Sequence, residues 1–187
     1  MSISEKDHRK LLEQLGREPE GALRIVSYGN DQEPQVVEVS PWVRKTPFPT
    51  IYWLSCPRLK KEISRLEASG LVKKLENWLS KSTQMQQASR ATHLNYIEKR
   101  KELFSKNLKN SEKKLIPEDF HKKGVGGIAD FKRVRCLHMH YAHFLVDDNF
   151  IGSIIKEALA GKVITSELCE SLADVFLKRI TKGQVEE

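Results

Sequence analysis

The sequence predicts an α+β fold, in which a small antiparallel sheet near the N-terminus is covered by several helices. Two runs rich in β-branched residues, Ala22–Tyr28 and Gln35–Val39, flank the turn-rich segment Gly29–Pro34, a pattern typical of a hairpin. A third short run, Thr50–Leu54, follows a proline-rich loop and completes the predicted sheet. From Pro57 onward, apolar residues recur at the spacing of amphipathic helices.

The helices are predicted from their capping residues and apolar stripes. An N-terminal helix begins after Ser4 and ends at Gly16. The next begins at Pro57, because proline lacks only an N–H that would have no partner in the first turn. It runs to Ser69, and Asn149 and Gly152 mark a later break. The other predicted helices are Leu71–Leu79, Ser82 or Thr83 to Asn107, Asp130–Val146, Ser153–Ala160 and Ser166–Ile180.

The length and composition predict one domain located in the cytoplasm. The 187 residues suit a single core, with residues 153–187 as a C-terminal helical extension. We expect no membrane insertion, because no apolar run approaches the roughly 18 residues that a bilayer requires. The N-terminus lacks the apolar core of a secretory signal. Three cysteines are an odd number, so we expect thiols in a reducing compartment.

The net charge of +7 is concentrated in one segment, residues 99–135, which holds twelve Lys or Arg and five Asp or Glu. Such a segment is either a solvated helix and loop or an electrostatic surface for an anionic partner. Nucleic acid is the less favoured partner, because Phe104 and Phe120 are its only aromatic residues before the glycine-rich turn. Its part from Lys106 to Lys123 is predicted to be a polar, mobile connection.

A cysteine and three histidines fall within eight residues, at Cys136, His138, His140 and His143. On a helix, Cys136, His140 and His143 share one stripe, whereas on a strand Cys136, His138 and His140 would share a face. The apolar pattern favours the helix. We therefore predict Cys136, His140 and His143 as metal ligands, with zinc as the first candidate. The alternative is a partly buried, histidine-rich helix without metal.

Cys56 is the second candidate for chemistry. It immediately precedes the helix that begins with Pro57 and Arg58, and both the helix dipole and the guanidinium would favour its thiolate. Cys56 is accordingly a candidate nucleophile, a metal ligand or simply a capping residue. The third cysteine, Cys169, lies on the apolar face of the last predicted helix and is expected in the core.

The glycine-rich segment Gly124–Gly127 is a candidate anion site. It matches neither the phosphate-binding loop nor the dinucleotide fingerprint. Free N–H groups at Gly126 and Gly127, with Arg58 and Arg135, would suit a small anionic ligand. The alternative is an ordinary flexible turn.

Four segments carry a family resemblance, and they occur in the order Thr46–Leu59, Ser64–Gly70, Gly124–Gly127 and Arg135–His140. From about residue 15 to residue 152 the chain resembles the bacterial family designated domain of unknown function 501. The resemblance implies no established activity.

The resemblance does imply which residues belong together. Relatives carry the motif Cys-Leu-His-x-His at the positions of Cys136, His138 and His140. They carry a second motif, Cys-Pro-Arg-Leu, at the positions of Cys56 to Leu59. The resemblance therefore promotes His138 as a catalytic candidate. Either the segment begins extended before it turns helical, or His138 has a role apart from the stripe of Cys136, His140 and His143. The chain departs from relatives that carry a cysteine in the first hairpin, after Tyr28.

Three functions are compatible with these patterns. The first is an enzyme, a hydrolase or transferase acting on an anionic substrate, with Cys56 as nucleophile or ligand and His138 or His143 moving protons. The second is an adaptor that binds nucleic acid or a protein through residues 99–135. In the third, the cysteines and histidines serve only in packing.

Overall fold

The N-terminal sheet has three antiparallel strands. The computed structural model describes residues 3–183. Strands β1 (Ala22–Tyr28) and β2 (Pro34–Val39) form the predicted hairpin, and β5 (Tyr52–Leu54) pairs with β2 on its other edge. A two-residue hairpin of β3 (Trp42–Val43) and β4 (Thr46–Pro47) lies between them in sequence. The sequence therefore predicted the α+β class, the hairpin and the third strand correctly.

Each face of the sheet is covered by helix. Helix α1 (Glu5–Leu15) packs Leu11 against Val37 and Val39 on one face. It begins as predicted, with the Ser4 hydroxyl accepting a hydrogen bond from the Asp7 N–H. Because side chains alternate along a strand, Val36 points to the opposite face, where it joins the main helical core.

Seven more helices follow the sheet: α2 (Pro57–Ala68), α3 (Leu71–Lys81), α4 (Thr83–Asn107), α5 (Asn110–Lys113), α6 (Leu137–Phe144), α7 (Phe150–Leu159) and α8 (Ser166–Gly183). The long helix α4 buries one continuous face, whose residues recur at three- and four-residue spacing from Met85 to Phe104, and α3, α7 and α8 pack against the helix. Tyr96 of α4 reaches the sheet, where its hydroxyl accepts a hydrogen bond from the Ile51 N–H at 2.7 Å. Cys169 of α8 is fully buried in the main core, as predicted.

The helix predicted from Asp130 to Val146 was wrong in its first half, because α6 begins only at Leu137. The Asp130 carboxylate accepts the Lys132 N–H and the Asp130 carbonyl accepts the Arg133 N–H, so this residue closes a turn. Arg135 then has a φ of 60°, which interrupts any right-handed helix. The loop is held by the carboxylate of Glu76, which lies 58 positions before Val134 in the sequence.

The predicted polar connection after α4 is partly packed. Phe120 is buried against Phe104 and Leu108, and two short 3-10 turns, Glu118–Lys122 and Val125–Gly127, follow α5. Several lysines of residues 99–135 have carboxylate partners, among them Lys99 with Asp147 at 3.3 Å. This pairing lowers the positive charge that the segment presents.

The sequence predicted a break at Gly152. In the structure Gly152 instead lies inside α7. A Cβ atom at this position would lie 2.2 Å from Phe144 Cβ and 3.0 Å from the His140 carbonyl oxygen. Glycine is therefore required because α6 and α7 cross at close range. Asn149 caps α7, since its side-chain oxygen accepts the Gly152 N–H at 2.8 Å.

We expect Gly152→Ala to lower the free energy of unfolding by about 3 kcal/mol, because the added methyl group must push α6 from α7. Urea denaturation measures this change. Ser153→Ala is the control on the same helix and should cost less than about 1 kcal/mol. Elsewhere in a helix Gly→Ala is stabilising by about 1 kcal/mol, so a gain at Gly152 would contradict the close crossing.

Candidate metal centre

Cys136 and His138 meet at the start of α6. Cys136 has an extended backbone, with φ −138° and ψ 124°, and immediately precedes the helix. Its Sγ lies 3.7 Å from His138 Nδ1. The segment thus begins extended and turns helical, so Cys136 does not share a helical stripe with His140 and His143.

Glu67, in the last turn of α2, completes the group. Its Oε1 lies 3.2 Å from His138 Nδ1 and accepts a hydrogen bond from the Leu137 N–H at 2.6 Å. Ligand atoms of Glu67, Cys136 and His138 all lie within 4.8 Å of one another. Within residues 3–183 this is the one group of three such side chains that could hold a metal ion at this spacing.

A hydrogen bond at Nε2 of His138 fixes the orientation and the tautomer of the ring. His138 Nε2 lies 3.0 Å from the Lys60 carbonyl oxygen, which can only accept, so Nε2 carries the proton. In the neutral ring, Nδ1 then presents its lone pair to the thiol and the carboxylate. A histidine ligand whose second nitrogen donates to a backbone carbonyl is the usual arrangement at protein metal sites.

The surroundings of His138 favour a positive charge. The hydrogen bond with Cys136, opposed by partial burial and assisted by the Lys60 carbonyl and Glu67, raises the pKa of His138 to about 9. Either a proton or a metal ion supplies that charge. A metal ion at this position therefore competes with a proton.

Glu76 of α3 positions the loop that leads into the centre. Its Oε1 accepts the N–H groups of Val134 at 2.9 Å and Arg135 at 3.3 Å, and its Oε2 lies 3.2 Å from Arg133. The loop is thus fixed by Glu76 at one end and by Glu67 at the other. Neither glutamate was found from the sequence, since each resembles an ordinary charged residue on a helix surface.

His140 and His143, the other predicted metal ligands, lie elsewhere. Both are fully buried in the core near His93, and the Asn149 amide nitrogen lies 3.4 Å from His140 Nδ1 and 3.0 Å from His143 Nδ1. Burial lowers the pKa of His140 to about 4 and that of His143 to about 3. These rings are neutral parts of the core and lie outside the Glu67 group.

Cys56 and Arg58 lie at the start of α2, as predicted. Cys56 occupies the capping position without a side-chain hydrogen bond to the helix, and is partly buried against the main core. It is not part of the Glu67 group. Arg58 is exposed and pairs with Glu62 at 3.6 Å.

The glycine turn has a packing role. The N–H of Gly127 bonds to the Gly124 carbonyl oxygen at 3.1 Å, and that of Val125 bonds to His93 Nδ1 at 3.0 Å. Gly126, with φ 57°, lies against Met139, whose Sδ would be 2.0 Å from an added Cβ. Of the two N–H groups expected to bind an anion, that of Gly127 is therefore already used within the protein. The fourth predicted residue, Arg135, is exposed with its own N–H on Glu76.

A groove opens beside the centre. Its volume is about 380 Å³, and its wall includes His138, Lys60 and an aromatic floor. The lining residues are Leu15, Arg17, Phe48, Thr50, Tyr52, Trp53, Leu54, Lys60, His138 and Met139. Most of the floor comes from the segment Thr46–Leu59, whose aromatic residues the sequence analysis assigned only to the fold.

A family model described as "Protein of unknown function (DUF501)" matches residues 25–157. The chain belongs to this family. The DUF501 match begins within β1, ends within α7 and includes Cys56, Glu67, Cys136 and His138. Comparison with curated proteins and with solved structures finds no further match. None of the helices formed by residues 3–183 combines the length and apolar character needed to cross a membrane.

Proposed function

We propose that Glu67, Cys136 and His138 bind a zinc ion, and that the protein is a zinc-dependent hydrolase or transferase acting on an anionic substrate. The observation that carries this proposal is the convergence of three different donors on one point. They come from α2 and from the start of α6, and the lone pair of His138 is aimed there by the Lys60 carbonyl.

The donor set suits zinc. A thiolate, an imidazole and a carboxylate are the ligands that zinc takes in proteins, whereas magnesium and calcium prefer oxygen alone. One thiolate and one carboxylate also balance the charge of a divalent ion. Partial burial of all three side chains limits competition from water.

Three protein ligands favour a catalytic over a structural site. Structural zinc sites close with four protein ligands, whereas catalytic sites keep one position for water or substrate. Zinc-bound water is acidified to a pKa of about 7 and supplies the hydroxide for attack on an ester, amide or phosphoryl group. The groove beside His138 gives such a substrate access to the centre.

A second candidate is a metal-free thiol enzyme, with Cys136 as the nucleophile and His138 as its base. It is favoured by the 3.7 Å distance between Cys136 Sγ and His138 Nδ1. However, Glu67 approaches the same nitrogen, whereas in catalytic triads the nucleophile and the acid use different ring nitrogens. We therefore prefer the metal.

The test is metal content. Protein purified without chelator and supplied with zinc is expected to hold about one zinc per chain by elemental mass spectrometry, with Cys136→Ser and Glu67→Gln losing most of it. Cys56→Ser is the matched control, a partly buried cysteine outside the group that should retain the ion. Circular dichroism verifies that each variant is folded. A metal-free wild type, or full zinc in folded Cys136→Ser, would overturn the proposal.

A further inference from the structure

A second recess of about 340 Å³ adjoins the groove beside His138. The two share Arg17, Phe48 and Trp53 in their walls, and the second extends to Arg44 near β4. Each volume is in the range of small-molecule sites. The groove therefore reaches the candidate metal centre, and the second recess lies beside the β3–β4 hairpin.

The floor is aromatic. The Phe48 ring meets the Trp53 ring edge-on, with centroids 5.8 Å apart. The Arg17 guanidinium lies over the Trp53 ring, 4.7 Å from its centroid. A guanidinium held over an aromatic ring can stack on a second planar group or bind an anion through its edge.

The charge of the groove is positive near the centre. Among residues 3–183, neither Arg17 nor Lys60 forms an ion pair with a carboxylate, and the Lys60 ammonium donates instead to the Gln14 carbonyl oxygen at 2.8 Å. Arg44, in the distant recess, is paired with Glu20. Two cations without carboxylate partners beside an aromatic floor match a ligand that is both anionic and flat.

We propose that this groove is the substrate site of the centre, and that its ligand is a small amphipathic anion with a phosphate or carboxylate joined to a planar apolar group. The planar part lies against the aromatic floor at Phe48 and Trp53, and the anionic part is directed to Lys60 and to the edge of the Arg17 guanidinium, beside the centre. The role as substrate site rests on the proposed function. The groove's shape and charge do not depend on metal.

The test is an NMR titration of the Trp53 indole N–H, assigned by its loss in Trp53→Phe. The probes are phenylphosphonate and benzoate, with benzyl alcohol as the uncharged control. We expect a saturable shift with at least one of the two anions, and a markedly smaller response with benzyl alcohol. Which anion binds more tightly decides between phosphate and carboxylate.

Arg17→Met should weaken the binding of the anion about tenfold, the effect of losing one charge-assisted hydrogen bond. Arg90→Met, an exposed arginine on α4 outside the groove, is the matched control and should leave it unchanged. Equal binding of benzyl alcohol, or no effect of Arg17→Met, would overturn the assignment of an anionic ligand.

The same titration on Cys136→Ser separates this inference from the proposed function. Binding that persists in this variant supports the groove whether or not the centre holds zinc. No saturable shift with either anion in the wild type would overturn the groove assignment, and the zinc measurement would be unaffected by that result.

Discussion

Acidification is expected to unfold the protein cooperatively between about pH 6 and pH 4.5, because three histidines are buried without charge. Burial lowers the pKa of His93 to about 2, of His140 to about 4 and of His143 to about 3. Each ring also keeps a buried Nε2 without a hydrogen-bond partner in the described structure. A proton on any of them would place an uncompensated charge in the core.

The sign of this pH dependence follows from the protonation of the histidines in the folded and unfolded states. In the unfolded chain each histidine titrates near pH 6.5, whereas in the folded protein it stays neutral until a lower pH. Above pH 6.5 neither state binds the proton, so these histidines do not lower the free energy of unfolding. Below pH 6.5 only the unfolded chain binds the proton. Each buried ring then lowers the free energy of unfolding by about 1.4 kcal/mol for each pH unit.

Together the three rings lower stability by about 4 kcal/mol per pH unit, or about 6 kcal/mol at pH 5. The whole stability of a domain is about 5–15 kcal/mol. Urea denaturation at several pH values, with chelator present so that metal release does not contribute, measures the slope. A free energy of unfolding that is constant from pH 7 to pH 5 would show that these rings are not buried as described.

His143→Phe tests the assignment ring by ring. The His143 ring stacks on Tyr52 and lies edge-on to Tyr96, so phenylalanine preserves the aromatic contacts. Nearby Asp147 and Lys99 shift the pKa of His143 in opposite directions, and less than burial does. We expect the slope with pH to fall by about one third. An unchanged slope in the folded variant would remove His143 from the explanation.

Arg100→Met is expected to cost about 4 kcal/mol of stability, because the Arg100 guanidinium satisfies four backbone carbonyls in the core. Its Nη1 donates to Pro49 and Gly124, and its Nη2 donates to Phe120 and Lys123. The residue is only 1% exposed, and none of the described carboxylates forms an ion pair with it. Each carbonyl left without a donor costs about 1–3 kcal/mol, partly offset by no longer burying a charge.

The stability lost in Arg100→Met should arise from the backbone around Arg100. Methionine keeps the apolar stem that packs between Tyr96 and Phe120, so the change removes mainly the donors. Thermal and urea unfolding measure the cost, and hydrogen exchange should rise first in residues 120–127. Arg90→Met, exposed on the same helix, should change stability by less than about 0.5 kcal/mol. A similarly small cost at Arg100 would mean that water replaces the guanidinium.

Local signals in the sequence were sufficient for most elements. The β1–β2 hairpin, the Ser4 cap and the proline that begins α2 depend on neighbours within a few residues, and all were predicted. The start of α6 was not, because the Glu76 carboxylate that captures the N–H of Val134 lies 58 positions away. A helical wheel drawn from Cys136 therefore grouped it with the wrong histidines.

The candidate site shows the same limit. Cys136 and His138 were identified by their spacing and by the family motif, whereas Glu67 carries no local signal that separates it from other helix-surface glutamates. The buried role of His140 depends on Asn149 and on the close crossing at Gly152, which single-sequence periodicity does not reveal. Nonlocal partners, rather than residue type, decided which histidine faces the thiol.

The contact of Glu67 with the start of α6 joins positions 70 residues apart, and that of His138 with Lys60 joins positions 78 apart. An unfolded chain does not hold these atoms together, because closing such long loops costs entropy. An ion that needs all three ligands therefore binds the native state alone. At a free concentration one hundred times its dissociation constant, it would add about 2.7 kcal/mol to stability. The melting temperature would then report the availability of free metal around the protein.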